Sequence, residues 1–318
     1  MTGPARHTVV TGAAGFIGSH VAEALLGFGF TVTGVDRCLG EPELVARNLE
    51  ALRGYDGFRL VRADLAHATL DQVLEGADTV FHLAARPGVR TSWGTEFADY
   101  CNSNVLATHR LMEAAARTGV RRVVVSSSSS IYGGNLSPSF TESLAPDPLS
   151  PYGVSKLASE QIALAHARRP GARTSALALR YFTVYGPRQR DDMAISRMIR
   201  AALTGEPVTV FGDGTQRRDF TFVADTVRGN LLAMDADPHT AVVNLGTGTT
   251  TSVLELLDLV GEAVGRPVPV RHAAPEAGDV PFTRADTAYA EQVLGYRPTV
   301  DLRTGLARQV AWLRERVP

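Results

Sequence analysis

Thr8-Val-Val-Thr-Gly-Ala-Ala-Gly-Phe-Ile-Gly18 is the stretch that decides the fold, and it lies close to the start of the chain. Its first four residues are all β-branched, which is typical of a buried strand, and an amphipathic helical pattern follows over residues 19–26. Glycines between a strand and a helix allow a tight turn and let a pyrophosphate approach the backbone at the helix N-terminus. The stretch therefore predicts a dinucleotide-binding β-α-β unit. The loop residues expected at the cofactor are Gly12, Gly15, Phe16, Ile17 and Gly18.

The end of the second predicted strand, at Asp36, indicates which dinucleotide binds. Asp36 follows the glycines by about 20 residues, the spacing at which a carboxylate accepts hydrogen bonds from a ribose. A carboxylate there repels a 2′-phosphate, so NAD is favoured over NADP, although the adjacent Arg37 could pair with a phosphate. Asp64 ends the third predicted strand, with Leu65 after it, and is either an adenine contact or a helix cap.

Strand and helix patterns alternate through the first half of the chain, as in a parallel sheet covered by helices on both faces. The predicted strands cover residues 8–11, 31–35, 58–62, 79–83, 122–126 and 176–179. The predicted helices cover residues 19–26, 42–52, 70–74, 100–118 and 151–168. We therefore expect an α/β fold, a Rossmann-type doubly wound parallel sheet with a smaller C-terminal lobe that binds substrate.

Beyond residue 180, glycine and proline become frequent and the predicted elements become shorter. Residues 242–245 still have the pattern of a core strand, and Ser252 with Glu255 forms a capping-box pattern at the start of a helix. We expect residues 1–180 to form the NAD-binding domain and residues 181–318 to form mainly the substrate lobe. Within the second part, about 224–265 would return to the first domain.

The overall composition excludes several classes of protein. A formal net charge of -1 over 318 residues offers no basic face to nucleic acid or to an anionic membrane. No apolar run approaches the ~20 residues of a membrane-spanning helix, and residues 1–7 are too short and polar for a signal peptide. Cys38 and Cys101 have no paired spacing, and the eight histidines include no His-x-x-x-His pair, so no metal site is predicted. We expect a reduced, cytoplasmic protein.

Tyr152 and Lys156 form the second signal of chemistry. Ser150 and Pro151 predict an N-cap and a first helical turn, which places Tyr152 and Lys156 on one face of the helix. A phenol has a pKa of about 10, but a neighbouring ammonium and a positive nicotinamide would stabilise its anion. Tyr-x-x-x-Lys is also common on amphipathic helices. The upstream glycine loop and the serines of residues 126–130 at a strand end favour a catalytic base.

Six motifs, in order, resemble those of the extended short-chain dehydrogenases/reductases, and within them the nucleotide-sugar epimerases and dehydratases. The motifs are TGAAGFIGSH from Thr11, FHLAA from Phe81, SSSSSIYGG from Ser126, SPYGVSK from Ser150, RYFTVYGPRQR from Arg180 and VFGDGTQRRDF from Val210. The resemblance extends over essentially the full length of the chain. It implies NAD as cofactor and a nucleotide sugar as substrate.

This resemblance assigns roles to individual residues. Tyr152 would be the acid and base, Lys156 would bind the nicotinamide ribose and lower the pKa of the tyrosine, and Ser128 would hydrogen-bond the reacting hydroxyl. The positions that match cofactor-lining residues are Leu83, Ala84 and Asn104.

The nucleotide half of the substrate is matched less completely. Phe211 corresponds to the residue against which uracil packs, and Arg218 corresponds to a diphosphate clamp. Many relatives have an arginine two residues before a Gly-Asp pair near the C-terminus, whereas this chain has Glu276 there. A carboxylate would repel phosphate, so Arg197 or Arg271 would have to replace that arginine.

The reaction implied by the resemblance is epimerisation at C4, in which Tyr152 removes the 4-hydroxyl proton and C4 is oxidised and then reduced from the opposite face. Related dehydratases and decarboxylases carry a carboxylate just before the Tyr-Gly of the strand-end motif. This chain has Ser129, Ser130 and Ile131 at those positions, which argues against both reactions.

Residues 183–193 and 87–93 resemble the UDP-glucuronate 4-epimerases in particular, whereas simple hexose epimerases usually have asparagine in place of Thr183. A 4-keto uronate is a β-keto acid and loses carbon dioxide easily, so its carboxylate must be held still. Arg190, with Thr183 and neighbouring serines, would do so through charge-assisted hydrogen bonds, although Arg190 could also be a surface loop residue. The other residues expected to bind substrate are Arg90, Ser127, Ser128, Ser129 and Arg197.

The sequence leaves several reactions and substrates open. The predicted function is conversion of UDP-glucuronate to UDP-galacturonate. The nearest alternative is a UDP-glucose/UDP-galactose 4-epimerase, followed by a UDP-glucuronate decarboxylase and a non-catalytic NAD-binding scaffold. The family also predicts a homodimer through helices 100–118 and 151–168. Leu111, Met112 and Ala115 would be available for that interface unless they face their own sheet.

Overall fold

The structure is a computed structural model that describes residues 6–39, 42–275 and 280–316. In chain order its strands are β1 (His7–Thr11), β2 (Thr31–Asp36), β3 (Phe58–Arg62), β4 (Thr79–His82), β5 (Arg122–Ser128), β6 (Ser175–Tyr181), β7 (Thr183–Tyr185), β8 (Val208–Phe211), β9 (Arg217–Arg218), β10 (Phe220–Phe222), β11 (Thr240–Leu245), β12 (Thr251–Ser252) and β13 (Val270–Ala273).

The α-helices flank these strands. They are α1 (Phe16–Gly27), α2 (Pro42–Arg53), α3 (Asp71–Leu74), α4 (Phe97–Tyr100), α5 (Ala107–Thr118), α6 (Pro151–Ala167), α7 (Ala194–Thr204), α8 (Val223–Met234), α9 (Val253–Val264), α10 (Ala288–Leu294) and α11 (Leu302–Arg314). Three 3-10 turns and one π-helical segment complete the secondary structure of the described residues. They cover Arg90–Ser92, Gly94–Glu96, Ser129–Ile131 and Cys101–Leu106.

One parallel sheet of seven strands organises the molecule, with the strand order β11-β6-β5-β4-β1-β2-β3. The order in which strands are added to the sheet reverses between β1 and β4. Strand β1 pairs in parallel with β2 on one side and with β4 on the other. In sheets of this kind, ligands bind at the carboxyl ends of the strands where the order reverses. The predicted Rossmann-type fold is confirmed. The glycine loop after β1 and the serines at the end of β5 lie along this same edge.

Alternating residues of the central strands build two cores. Val9 of β1 packs with α5 and α6 on one face, whereas Val10 packs with α1 and α8 on the other. This follows from the two-residue repeat of a strand, which points successive side chains to opposite faces. Both valines are fully buried, so the sheet is covered on both sides.

The C-terminal half both extends the sheet and builds a lobe beyond it. Strand β11 pairs in parallel with β6, with Leu245 opposite Tyr181. Helix α11 packs against α7 and α9, and apolar residues of all three join the core that covers one face of the sheet. We keep the division at residue 180, with about 224–265 returning to the first domain, as a proposal.

The predicted helix over residues 100–118 is not a single α-helix. It consists of α4, the π-helical segment Cys101–Leu106 and α5, which run on from one another. The side chains of Leu111, Met112 and Ala115 are fully buried against the sheet, so they cannot contact a second copy. Exposed large apolar residues here are Phe97 of α4, at 36%, and Leu106 of the π-helical segment, at 40%, together with Val154 of α6, at 47%.

Candidate functional site

The glycine loop after β1 forms a cradle that side chains would fill. Gly12 has a φ of 73°, and a Cβ there would lie 2.8 Å from the backbone nitrogen of Ala84. A Cβ on Gly18 would overlap the carbonyl oxygen of Gly12. Helix α1 begins after Gly15 and has no side-chain cap, so its first N–H groups are left for a ligand.

Leu83 and Ala84 are brought to this loop by a specific hydrogen bond. The backbone N–H of Ala84 donates to Oγ1 of Thr11 at 3.1 Å, which holds the end of β4 beside the end of β1. Phe16 and Ile17 occupy the first turn of α1 and pack against the core. The structure thus places the predicted loop and lining residues around one cleft.

Asp36 lies at the end of β2, where a ribose would reach it. Its two carboxylate oxygens accept backbone N–H groups of Ala14, at 3.0 Å, and Cys38, at 2.7 Å. Each oxygen has a second lone pair, so Asp36 can still accept ribose hydroxyls. The acid therefore both holds the glycine loop and fits an NAD ribose.

Arg37 pairs with Asp64 at 3.5 Å. Asp64 also accepts the N–H of Ala66 at 2.9 Å, so it caps the turn after β3, with the buried Leu65 beside it. Burial opposes ionisation of Asp64, but the Ala66 hydrogen bond and the Arg37 charge together lower its pKa. Because Asp64 already partners Arg37, this arrangement fits NAD better than NADP, and the cradle as a whole fits NAD.

The N-terminus of α6 carries Tyr152 and Lys156, the predicted catalytic pair. Oγ of Ser150 accepts the N–H of Gly153 at 3.1 Å, and Pro151 lies in the first turn, as the sequence predicts. Nζ of Lys156 is buried and donates to Oγ of Ser126 at 3.3 Å. Burial lowers the pKa of Lys156 to about 8, against the opposing charge of Glu160.

The pKa of Tyr152 shifts in the direction opposite to the predicted one. The sequence predicts that Lys156 lowers its pKa, whereas in the structure burial raises the pKa of Tyr152. The groups that act in the lowering direction are the hydroxyl of Ser128 and the charge of Arg190. Ser128, at the end of β5, is therefore close enough to Tyr152 to affect its pKa, and its hydrogen bond to the reacting hydroxyl stays a prediction.

The neighbours of Ser128 separate into two groups. Ser129 follows it in a 3-10 turn, and the N–H of Ser130 donates to Oγ of Ser128 at 3.1 Å. Ser127, predicted to bind substrate, is buried and donates to a carboxylate oxygen of Glu160 at 2.6 Å. Since its proton is committed to Glu160, the structure places Ser127 in a buried network and not at the substrate.

Asn104 is also committed to protein partners. Its amide oxygen accepts the N–H of Arg86 at 2.7 Å, and its amide nitrogen donates to the carbonyl of Arg86 and to Oγ of Ser155. The side chain is almost fully buried. Asn104 thus joins the π-helical segment to the loop after β4 and to α6. Its side chain supports the structure around the cleft, and its predicted contact with the cofactor stays a prediction.

Thr183 and Arg190, both predicted to bind substrate, follow β6 in the chain. Thr183 begins β7, which pairs with β10 beside the end of the main sheet. The guanidinium of Arg190 makes two hydrogen bonds to Asp192, at 2.9 and 2.8 Å, and its charge reaches the phenols of Tyr152 and Tyr100. Arg190 therefore belongs to the surroundings of the catalytic tyrosine and is not an isolated surface residue.

Phe211, predicted to pack against uracil, is in contact with Arg90, predicted to bind substrate. The guanidinium of Arg90 lies over the ring of Phe211, 4.0 Å from its centroid. Phe211 also lines a cavity of about 510 Å³ together with Gly212, Asp213, Thr215, Gln216, Pro275, Val280 and Pro281. An aromatic ring beside a cavity of this size suits a planar base.

The remaining predicted arginines are placed as follows. Arg218 lies in β9, and its guanidinium donates to the carbonyl of Arg217. Arg197 lies on α7, where its charge acts on Asp192. Arg271 is exposed and donates to Thr209. Glu276, which departs from the family pattern, lies outside the described residues.

Two contributors to the site were not predicted from the sequence. Tyr100 is fully buried, its hydroxyl contacts Thr91 at 2.7 Å, and its ring lies edge-on to that of Tyr152. Glu160 and Arg180 form a buried ion pair at 2.7 Å beneath Lys156. No sequence signal identifies these partners, because each pair joins residues of different elements.

The described residues contain one group with metal-ligand atoms close together. His109, Glu113 and His166 offer three such atoms within 4.8 Å of one another. The Glu113 carboxylate already has two arginine partners, Arg169 at 3.5 Å and Arg117 at 3.9 Å. We therefore assign no metal to this group. Within the described parts of the chain, no helix is both long and apolar enough to cross a membrane.

Comparison with known proteins agrees with this geometry. The profile of the NAD dependent epimerase/dehydratase family matches residues 8–246. An uncharacterized UDP-glucose epimerase of Bacillus subtilis, YtcB, is 41% identical over 96% of this chain and 97% of its own length.

Two solved structures extend the comparison. MoeE5 in complex with UDP-glucose and NAD is 49% identical, with a TM-score of 0.90 over 98% of this chain and 100% of that one. The UDP-glucuronic acid 4-epimerase from Bacillus cereus, in complex with UDP-glucuronic acid and NAD, is 38% identical, with a TM-score of 0.93 over 97% of this chain and 99% of that one. On this evidence the chain belongs to the NAD dependent epimerase/dehydratase family, with NAD as its cofactor.

Proposed function

We propose that this protein is a UDP-sugar 4-epimerase whose preferred substrate is UDP-glucuronate, which it converts to UDP-galacturonate through a transient 4-keto sugar. The observation that supports the uronate is Arg190, whose guanidinium is oriented by two hydrogen bonds to Asp192 and whose charge acts on the phenol of Tyr152. A cation beside C4 chemistry is suited to a carboxylate at C5.

The chain supplies the proton-transfer and positioning groups. NAD, when bound, supplies a hydride acceptor that is restored in each turnover, and a positive charge that favours the phenolate. Tyr152 accepts the 4-hydroxyl proton and later returns it, while Ser128 holds the reacting oxygen. Lys156, with a pKa of about 8, is mostly cationic at pH 7 and is placed to hold the nicotinamide ribose.

The carboxylate of a 4-keto uronate needs restraint, because rotation perpendicular to the ketone allows loss of carbon dioxide. Arg190 is fixed by two hydrogen bonds to Asp192, which orients its guanidinium. Its remaining N–H donors, with the hydroxyls of Thr183 and Ser129, provide charge-assisted and neutral hydrogen bonds to a carboxylate. Epimerisation without decarboxylation follows from that restraint.

UDP-glucose is the second candidate substrate, and two observations favour it. YtcB is named as a UDP-glucose epimerase, and MoeE5 has been solved with UDP-glucose as well as with UDP-glucuronic acid. The charge of Arg190 and its orientation by Asp192 are the reason that we place the uronate first.

A homodimer and a cytoplasmic location complete the proposal. The exposed apolar side chains of Leu106 and Val154, on the π-helical segment and on α6, are the surface that a second copy would cover. A small apolar patch of this kind suits an interface between helices.

Replacement of Arg190 tests the substrate. We expect Arg190→Ala to lower kcat/KM for UDP-glucuronate by about 100-fold, since a charged partner of the carboxylate is lost. We also expect UDP-pentose among the products, identified by NMR after incubation with NAD. Affinity for UDP-glucose, measured by calorimetry, should stay close to that of the wild type.

Arg117→Ala is the control, because it removes an arginine of α5 that makes an exposed ion pair with Asp71 at 2.7 Å. It should leave uronate turnover unchanged. Unaltered uronate turnover and product purity in Arg190→Ala would show that this arginine does not hold the carboxylate.

A further inference from the structure

The loop that carries Arg190 is fixed to the helix that holds the cofactor. This loop, residues 186–193, joins β7 to α7. Nε2 of His20, on α1, lies 2.9 Å from the carbonyl oxygen of Pro187. One turn further along α1, the carboxylate of Glu23 pairs with Arg188 at 2.6 Å.

Both contacts with α1 are well defined chemically. Burial, aided by the charge of Arg188, lowers the pKa of His20 to about 4, so its ring is neutral at pH 7. A carbonyl oxygen only accepts hydrogen bonds, so Nε2 of His20 must carry the proton and donate to Pro187. The Arg188 side chain is only 14% exposed, and a charge so little hydrated depends on its partner.

The backbone of Arg188 is held in an unfavourable conformation. Its φ is 65°, in the left-handed region that residues other than glycine rarely adopt. Such a conformation persists only where surrounding contacts maintain it. The ion pair with Glu23 is the contact that holds the side chain of this residue.

Residues on either side of Arg188 are fixed as well. A Cβ on Gly186 would lie 2.7 Å from Cγ1 of Val223, so the backbone there packs closely on α8. The buried Gln189 accepts hydrogen bonds from Ser196 at 3.0 Å and from Gln309 at 2.7 Å. Four successive residues are thus restrained directly before Arg190.

We propose that Glu23 and His20 are positioning residues for Arg190, through which the cofactor helix also fixes the arginine that binds the uronate carboxylate. The inference rests on the proposed function and extends it, because it makes residues outside the site part of its substrate specificity. Neither side chain touches the substrate. Each acts by fixing the backbone two or three residues before Arg190.

Glu23→Ala tests this positioning role. We expect KM for UDP-glucuronate to rise about tenfold, since small displacements of a positioning group have large effects. NMR should show a larger fraction of UDP-pentose than the wild type forms. Affinities for UDP-glucose and for NAD, measured by calorimetry, should not change, because neither ligand presents a carboxylate to Arg190.

Two further variants separate positioning from general damage. Glu23→Gln keeps a hydrogen-bond acceptor for Arg188, so its KM for UDP-glucuronate should lie between those of the wild type and Glu23→Ala. Glu262→Ala removes an ion pair with Arg303 between α9 and α11 and should leave all kinetic constants unchanged.

The outcomes distinguish the two proposals. If the wild type converts UDP-glucuronate and Glu23→Ala does so with the same KM and the same purity, the positioning role is wrong. Equal losses of affinity for UDP-glucose, UDP-glucuronate and NAD would also contradict it, since they indicate general loosening of α1. If the wild type fails to convert UDP-glucuronate, the proposed function fails and this inference fails with it.

Discussion

At the scale of single residues, the site is defined by how burial acts on its ionisable groups. Burial raises the pKa of Tyr152, while Ser128 and Arg190 oppose that rise. Burial lowers the pKa of Lys156 to about 8, and Glu160 opposes that fall. At pH 7 in this structure the phenol is therefore protonated and the ammonium is mostly charged. Tyr152 can therefore act as a base only when a bound cation, such as oxidised nicotinamide, stabilises its anion.

Removal of the Tyr152 hydroxyl should abolish proton transfer and leave the rest of the site intact. We expect Tyr152→Phe to lower kcat by about 1,000-fold, within the range of positioned acid–base groups. Affinity for UDP-glucuronate should change little, as measured by calorimetry. Tyr289→Phe, on α10 and 37% exposed, is the control and should have full activity. If Tyr152→Phe retained activity, Tyr152 would not be the acid–base group of the reaction.

The residue types of the site were predictable from sequence, but several partners were not. Tyr152, Lys156 and Ser128 were found because each belongs to a short motif with a recognisable spacing. The motif predicts that Ser127 binds substrate, because its neighbours in the motif are predicted to do so. Its hydroxyl instead donates a hydrogen bond to Glu160, 33 residues away. Long-range pairing of this kind depends on tertiary packing, which a local pattern does not contain.

At the scale of elements, caps and turns were predicted better than helix type. Ser150 caps α6, and Ser252 with Glu255 forms the predicted capping box of α9, because both depend on residues within four positions. The π-helical segment at Cys101–Leu106 was predicted as ordinary helix. Its Asn104 is held by Arg86 and Ser155, so the departure from α-helix is stabilised by residues of other elements.

Loss of the capping box should cost stability without affecting catalysis. Oγ of Ser252 accepts the N–H of Glu255 at 3.1 Å, and the Glu255 carboxylate accepts the N–H of Ser252 at 2.8 Å. We expect Ser252→Ala to lower the free energy of unfolding by about 1 kcal/mol, measured in urea. Ser252→Thr keeps an oxygen at the cap and should restore most of that loss. Equal stability of all three proteins would contradict this account of α9.

At the scale of the whole molecule, one charged network joins the amino ends of the central strands to α8. Asp78 pairs with Arg6 at 2.7 Å and with Arg121 at 3.0 Å, and both arginines also pair with Asp235. Burial opposes ionisation of Asp78, but the two arginines hold its pKa well below the usual range. The network is partly exposed, so its contribution is moderated by solvent.

The pH dependence of stability should reveal this network. A carboxyl group with a lowered pKa stabilises the fold above its unfolded pKa of about 4 and loses that contribution as pH falls further. We expect Asp78→Asn to lower the free energy of unfolding at pH 7 by ~1 kcal/mol, in keeping with exposed ion-pair networks. The difference from the wild type should shrink steadily below pH 4.

Asp71→Asn is the control for Asp78→Asn, because Asp71 makes a single exposed ion pair with Arg117. It should have a smaller effect at every pH. A difference between Asp78→Asn and the wild type that persisted unchanged at pH 2 would contradict the electrostatic explanation.

The central claim is that the protein inverts C4 of a uronate through transient oxidation, with the carboxylate retained. Incubation of the enzyme and NAD with UDP-glucuronate deuterated at C4, followed by NMR of the products, tests it most directly. We expect UDP-galacturonate that keeps the deuterium at C4, because the hydrogen removed from C4 is the one returned. UDP-pentose with release of carbon dioxide, or UDP-galacturonate that has exchanged its C4 deuterium with solvent, would contradict it.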